Sequence, residues 1–309
     1  MSTLLGFLAL IWWTTTVALV RSLAEQLGPL TAGACIYLLG GALGAAAVMT
    51  RAASRRALAE LPRKYLLTGA GLIAIYVVCL QVALGWAANR QQVVEVGLVN
   101  YFWPGLTLAL SGPLLGKRVR GAMLLAGMLV ALAGVAMVSA ANASFSAWQL
   151  LANLRADPLP YGLALVAAAA WATYSNLTRR WTRDARGQAM PLFFLFSGVV
   201  LAVLGTFASE RPHWRTQAVL ELLYVAIFPT LLAYSFWDVA MRRGRMELLV
   251  SASYLTPLAS SVVTCLWLAV PMGGVIWAGG AMVVAGAVVC RYSVRGQRDL
   301  SKETVDEHV

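Results

Sequence analysis

Apolar residues arrive in runs of about twenty, each ended by a short polar or basic connection, and these runs cover most of the chain. Ten can be drawn, at about 3–20, 30–49, 65–88, 92–112, 120–141, 159–178, 189–208, 217–238, 247–269 and 273–292. That length matches the ~20 residues a helix needs to cross the hydrocarbon core of a bilayer. Lipid offers backbone groups no hydrogen bonds, so each run must be a helix or part of a closed barrel. Continuous runs lack the barrel's alternation. The pattern predicts an all-α membrane protein with ten transmembrane helices.

The runs are written twice. Trp13–Arg21 (WTTTVALVR) and Trp171–Arg179 (WATYSNLTR) share Trp, Thr and Arg at one spacing. Glu95–Pro104 (EVGLVNYFWP) matches Glu247–Pro257 (ELLVSASYLTP) with one inserted residue, and both contain Tyr-x-x-Pro. Gly127 and Gly134 recur as Gly279 and Gly286, each second glycine preceded by alanine. Five spans per half is an odd number, so the halves must insert with opposite orientation, as two inverted five-helix repeats. The expected division is 1–141 for the first repeat, 142–158 for a linker, 159–292 for the second repeat and 293–309 for a polar, disordered tail. Trp148, Leu150, Leu151 and Leu154 suit a short interfacial helix in the linker.

Charge sets the orientation. Nineteen of the 24 Lys and Arg residues collect in alternate connections around 51–64, 117–120, 179–186, 242–245 and from 291 onward, leaving Arg21, Arg90, Arg155, Arg211 and Arg215 for the other face. This split puts both termini in the cytoplasm. The net charge of +11 therefore reads as a topology signal, and with no basic stripe or soluble domain, nucleic acid is not an expected partner. The composition, 60% hydrophobic and 12% charged, agrees with a lipid environment. Cys35, Cys79, Cys265 and Cys290 all lie in apolar runs as small packing residues. The first run follows only Met-Ser-Thr and lacks a basic leader, so it reads as a membrane helix and not a cleaved signal.

Enzyme chemistry finds little to work with. The two histidines, His213 and His308, fall in a loop and in the tail, and no glycine-rich loop ends in Gly-Lys-Ser/Thr. No cofactor or metal is expected. Arg21, Glu95, Asp238 and Glu247 are the charges nearest the membrane, all near span ends. Glu95 and Glu247 occupy matching places in a first helical turn, where a carboxylate can cap free N–H groups, or the two can act as gates on opposite faces. Pro104 and Pro257 lie within their helices and predict kinks whose freed backbone groups face a cavity.

Helical spacing groups Asn100, Trp103 and Thr107; Ser253, Pro257, Ser260 and Thr264; Trp171, Tyr174 and Thr178; and Tyr234, Trp237 and Met241. Tyr37, Tyr76 and Gln81 add hydrogen-bonding groups. Each alone suits packing or an interhelical hydrogen bond, and Trp12 and Trp237 also suit an interfacial belt. Together they describe an aromatic-walled cavity without a fixed charge, fit for a neutral or zwitterionic metabolite. The expected substrate contacts are Tyr76, Asn100, Trp103, Trp171, Tyr174, Tyr234, Ser253 and Tyr254, with Glu95, Pro104, Glu247 and Pro257 as gate and hinge.

Three stretches, AIYVVCLQVALGWAANRQQ at 74–92, VEVGLVNYFWP at 94–104 and AYSFWDVAMRRGRMELLVSASYLTP at 233–257, resemble the drug/metabolite transporter (DMT/EamA) superfamily, and within it the bacterial aromatic amino acid exporters. The resemblance runs from about residue 5 to 292. It implies a ten-helix inverted-repeat basket in the bacterial inner membrane, with a periplasmic linker and a central cavity built from both halves. The implied activity is export of aromatic and other neutral amino acids. A small-molecule substrate and the bilayer are the expected partners of a chain that can act as a monomer. A broad-specificity drug or metabolite exporter is the alternative function, and a membrane scaffold or sensor that moves nothing is a third.

Overall fold

The computed structural model describes residues 1–87, 90–142, 147–259 and 274–295. Nearly every element is helical. The first half comprises α1 (Ser2–Thr14), α2 (Thr16–Leu27), α3 (Pro29–Met49), α4 (Ala52–Ala59), α5 (Arg63–Trp86), α6 (Arg90–Asn100), α7 (Trp103–Leu115) and α8 (Gly121–Asn142). The linker forms α9 (Ala147–Ala156), on which Trp148 is 76% exposed beside exposed Leu151 and Leu154, while Leu150 packs inward. The second half comprises α10 (Leu159–Thr182), α11 (Met190–Gly205), α12 (Thr216–Val225), a π-helical turn at Ala226–Leu232, α13 (Ala233–Arg243), α14 (Met246–Ala252), α15 beginning at 255–259, and α16 (Gly274–Tyr292).

Six rods among the described residues are long and apolar enough to cross a membrane: Pro29–Met49, Arg63–Trp86, Gln92–Leu115, Gly121–Val138, Thr216–Arg243 and Gly274–Tyr292. The pair Ser2–Thr14 and Leu19–Leu27 would make a seventh, bent by 48°. Helix α10 is outside this set for a physical reason: it carries Tyr174, Ser175, Asn176, Thr178 and Thr182, all buried, and is enclosed by its neighbours. Asn176 Nδ2 donates to the Thr107 carbonyl at 3.0 Å, tying α10 to α7. Outward-facing Leu67, Leu125, Leu129, Phe196, Val199, Val203, Val284 and Val288 are exposed, the arrangement expected where the solvent is acyl chain.

Several expected continuous helices are interrupted. The first span breaks at Thr15, whose hydroxyl bonds the Trp12 carbonyl and Tyr224. The fourth breaks at Tyr101–Phe102, so Pro104 stands in the first turn of α7 and not in a helix interior. A matching turn at Ser253–Tyr254 precedes Pro257. In both places the proline sits early in a helical segment, where its missing N–H costs least, and Gln92–Leu115 still runs as one span through the turn. The eighth span stays helical but widens around Pro229, whose carbonyl accepts the indole N–H of Trp13 at 3.1 Å.

Helices pack as antiparallel pairs: α8 on α16, α3 on α11, α5 on α10 and α1 on α13. The α8–α16 seam rests on the repeated glycines. A Cβ on Gly134 would stand 2.6 Å from the Gly279 carbonyl oxygen, and one on Gly127 3.0 Å from that of Gly286. Small residues let the two backbones touch, which is how helices gain contact where lipid competes for every apolar surface. At the end carrying the N-terminus, Arg118–Val119 (β1) pairs antiparallel with Val294–Arg295 (β2), so the first residues expected in the tail are held in a ladder. Residues 296–309, with His308, and Ser260, Thr264 and Cys265 lie outside the described residues.

Gly134→Val should lower stability by about 1–3 kcal/mol, since a branched side chain must force the seam apart. Thermal unfolding of the purified protein in detergent would register this as a lower midpoint than for a Val substitution at Gly162, around which a Cβ meets nothing within 4 Å.

Candidate functional site

Trp171 is the centre of the bundle's aromatic cluster. Its ring lies 5.1 Å from Tyr76, 5.2 Å from Tyr234, 5.7 Å from Tyr174, 6.1 Å from Trp13, 6.3 Å from Trp103 and 6.5 Å from Trp237. Helix α10 can present this ring to α1, α5, α7 and α13 because it occupies the middle of the bundle. Contacts of this kind are worth about 0.5–1.5 kcal/mol each beyond the area they bury, so the cluster is a rigid wall.

One face of the cluster borders a cavity of about 640 Å³. Its inner part is lined by Trp13, Tyr76, Asn100, Trp103, Trp171, Tyr234, Ser253 and Thr256, with Tyr37, Gln81 and Tyr101 on the sides. Its mouth lies among Arg21, Ser22, Glu25, Pro29, Leu84 and Val93. Tyr76 and Tyr234 share a hydrogen bond at 3.3 Å, and the buried Asn100 Oδ1 has no partner among the described residues. A buried amide oxygen without a partner is costly unless something outside the protein supplies a donor.

The sequence-predicted contacts divide here. Tyr76, Asn100, Trp103, Trp171, Tyr234 and Ser253 all reach the cavity. Tyr174 and Tyr254 do not. Tyr174 stands one turn past Trp171, about 4.5 Å further along the axis, and its hydroxyl donates to Asp238 at 2.9 Å, 3.0 Å from the Tyr65 hydroxyl. Tyr254 is fully buried in the core. Trp13, Tyr101 and Thr256 were missed. Trp13 could have been found from its match to Trp171, because residues paired by a repeat occupy equivalent depths. The expectation of a chamber with no fixed charge needs correcting at the mouth, where Arg21 and Glu25 pair at 2.8 Å.

Behind Trp171 the bundle is closed. Asp238 and Arg242 form an ion pair at 2.7 Å, almost wholly buried. Tyr65 and Tyr174 donate to Asp238 Oδ1 at 3.2 and 2.9 Å, and Arg242 Nη1 donates to the Gly187 carbonyl. Asp238, expected near a span end, stands five residues before the end of α13 at Arg243, and both it and Trp237, for which an interfacial belt was one reading, are 0% exposed. Further out, Lys117 pairs with Glu247, and Arg179 Nη1 donates to the carbonyls of Met241 and Gly244 at 3.0 and 2.9 Å. Glu247 stands in the first turn of α14, as expected, yet its carboxylate meets Lys117. Glu95 differs from expectation. It is in the second turn of α6, fully buried, and it accepts hydrogen bonds from Tyr161 and Asn153.

Apolar rods of bilayer length around an aromatic-walled cavity define a polytopic membrane protein with a solute-sized chamber. The EamA-like transporter family matches residues 159–292. The aromatic amino acid exporters YddG of Salmonella typhimurium and Escherichia coli are 32% and 33% identical to the chain, each over 95% of it and 98% of their own length. A crystal structure of a protein 30% identical superposes with a TM-score of 0.76, covering 93% of this chain and 95% of that one. The chain belongs to the EamA-like transporter family of the drug/metabolite transporter superfamily.

Asp238→Asn should cost about 3–5 kcal/mol, because it leaves Arg242 buried beside a neutral partner, whereas Asp238→Asn with Arg242→Met should cost clearly less. Thermal midpoints of the two variants in detergent check the order; equal losses would mean the pair carries no coupling.

Proposed function

We propose that the chain exports neutral amino acids, aromatic ones in preference, across a bacterial inner membrane by alternating access. The observation that carries this reading is the one-ended cavity walled by Trp13, Tyr76, Trp103, Trp171 and Tyr234, closed behind by the Asp238–Arg242 layer. Aromatic faces hold an apolar or aromatic side chain. Asn100 Oδ1, unpartnered among the described residues, addresses an ammonium, and Ser253, whose hydroxyl donates to the Val250 carbonyl at 2.6 Å, keeps its oxygen as a second acceptor. The names of the relatives, which are exporters of aromatic amino acids, support the same substrate class.

The ten-span, inverted-repeat architecture belongs to this proposal and has three supports. The α5–α10 contact becomes the α1–α13 contact when the halves are exchanged, while α3–α11 and α8–α16 map onto themselves. Gly127 meets Gly286 as Gly134 meets Gly279, which is the same exchange at residue level. The matched family segment, 159–292, has the bounds of one repeat. With the basic connections in the cytoplasm, the termini and the closed end face inward. On this reading the mouth and α9 face the periplasm, which makes the state outward-open.

In this mechanism Tyr76, Asn100, Trp103, Trp171, Tyr234 and Ser253 surround the substrate. Tyr174 and Tyr254 act from behind, Tyr174 by fixing Trp171 above the ion-paired layer. The breaks before Pro104 and Pro257 are the hinges. Glu247 with Lys117 secures the inner gate, and Glu95 with Tyr161 and Asn153 braces the outer one. Transport runs down the substrate gradient without an obligatory proton. A second reading, export of planar drugs or other metabolites, gains from the cavity's size, which lies in the range of about 300–1,000 Å³ that accepts drug-sized ligands.

Proteoliposomes preloaded with tryptophan or phenylalanine should accumulate the labelled amino acid by counterflow, with or without an imposed pH gradient. Trp171→Ala should cut the exchange roughly tenfold or more, as expected for losing an aromatic anchor worth at least 1.4 kcal/mol, while the protein elutes as a single folded peak. No exchange of any amino acid would reject the reading, and resistance to planar toxic compounds in overproducing cells would favour the second.

A further inference from the structure

The two halves line opposite ends of the bundle with different chemistry. Trp13 matches Trp171 in the repeat, and the same offset of 158 residues pairs Tyr76 with Tyr234, whose hydroxyls meet at 3.3 Å. Ring contacts follow the exchange: Trp13 lies 5.0 Å from Tyr234, and Trp171 lies 5.1 Å from Tyr76. Carried one and two turns further, that offset pairs Asp238 with Leu80, Arg242 with Leu84 and, on the neighbouring helices, Tyr174 with Thr16. Leu80, Leu84 and Thr16 line the cavity, whereas Asp238, Arg242 and Tyr174 are buried. Leucines face the chamber while an ion pair is sealed from it. Solvation alone prefers the reverse.

We infer that the Asp238–Arg242 pair biases the carrier toward opening its inner gate, because closing that gate strips two ions of hydration and opening it restores the water. The inference rests on the alternating-access reading above and adds the device that tilts the cycle. Where it stands, the pair is incompletely satisfied. Asp238 Oδ1 accepts from Tyr65 and Tyr174, and Arg242 gives Nη1 to the Gly187 carbonyl and Nη2 to the Tyr65 hydroxyl. Arg242 Nε has no partner among the described residues. A buried pair short of full hydrogen bonding is commonly less stable than apolar residues of similar volume, and a single ion left without its partner is worse than either. The inner gate is thus a weaker seal than leucines would make.

The outer end works in the same direction. Closing the outer gate would take Leu80 and Leu84 out of the chamber and bury them, which the hydrophobic effect favours. The exchange of halves also names a residue that the opened inner gate would uncover. Thr178 matches Val20, which lines the cavity, so Thr178, now 0% exposed, would stand with Tyr174, Asp238 and Arg242 along the inward-open pathway. Both solvation terms draw the empty carrier toward the state in which an exporter takes up its cargo, against the hydrogen bonds that Tyr65, Tyr174 and Gly187 supply to the closed one.

The test is the rate at which a water-soluble maleimide labels the purified full chain in detergent, its four cysteines replaced by alanine and one reporter added: Thr178→Cys for the inner pathway or Val20→Cys for the outer. Asp238→Asn leaves Arg242 as a buried charge and should raise labelling of Thr178→Cys roughly tenfold, whereas Asp238→Leu with Arg242→Leu, the other half's own pair, should lower it roughly fivefold. Val20→Cys should move the opposite way each time. Should the leucine pair fold poorly, Asp238→Asn with Arg242→Met, neutral and close in volume, should give the same fall. A latch that merely holds the gate shut would speed labelling of Thr178→Cys in every variant, and a role in folding alone would change neither reporter; either result overturns the inference. Counterflow of tryptophan is read separately. Its absence from the wild type defeats the exporter reading, while the labelling rates still decide the gate.

Discussion

Where a helix breaks inside an apolar bundle, its freed backbone groups must find partners there, because acyl chains supply none. Each interruption in this chain obeys that constraint by facing inward. Thr15 closes the break in the first span with its own hydroxyl, and the widened turn at Ala226–Leu232 gives its Pro229 carbonyl to Trp13. The turns at 101–102 and 253–254 both border the cavity, through Tyr101 and Ser253. Irregular backbone and solute chamber thus occupy the same region, and the polarity that binds a solute is supplied partly by the breaks themselves.

The same rule explains which features were legible in the sequence. Run length and the basic connections located the helices closely: Pro29–Met49 begins and ends within one residue of its apolar run, α8 begins one residue past the start of its run at Gly121, and α16 ends with its run at Tyr292. Burial along the helix axis was harder to read. Helical spacing placed Tyr174 on the face of Trp171, and a one-turn offset carried it through the floor of the cavity into the Asp238 layer. Asp238 looked peripheral because it falls at the end of an apolar run, yet its i, i+4 spacing from Arg242 joins the two on one face and lets them be buried as a pair. Break positions were invisible for a related reason. Proline marks a neighbourhood, and packing against other helices decides which residues before it leave the helix.

Electrostatics divides the bundle lengthwise. At the closed end, charges are paired and bonded to main-chain carbonyls: Asp238 with Arg242, Lys117 with Glu247, Arg179 with Met241 and Gly244. At the open end, Arg21 and Glu25 are half in water, and Glu95 is held by Tyr161 and Asn153. Asn153 belongs to α9, whose exposed Trp148, Leu151 and Leu154 suit the bilayer interface. A buried carboxylate is therefore linked, through one amide, to a helix with an exposed apolar face.

The glycine seam between α8 and α16 has a mechanical consequence. Backbones that meet at 2.6–3.0 Å from a would-be Cβ leave no lubricating layer of flexible side chains, so these two rods resist sliding and behave as one stiff spine. In the proposed export cycle, rocking of the remaining helices would pivot against that spine.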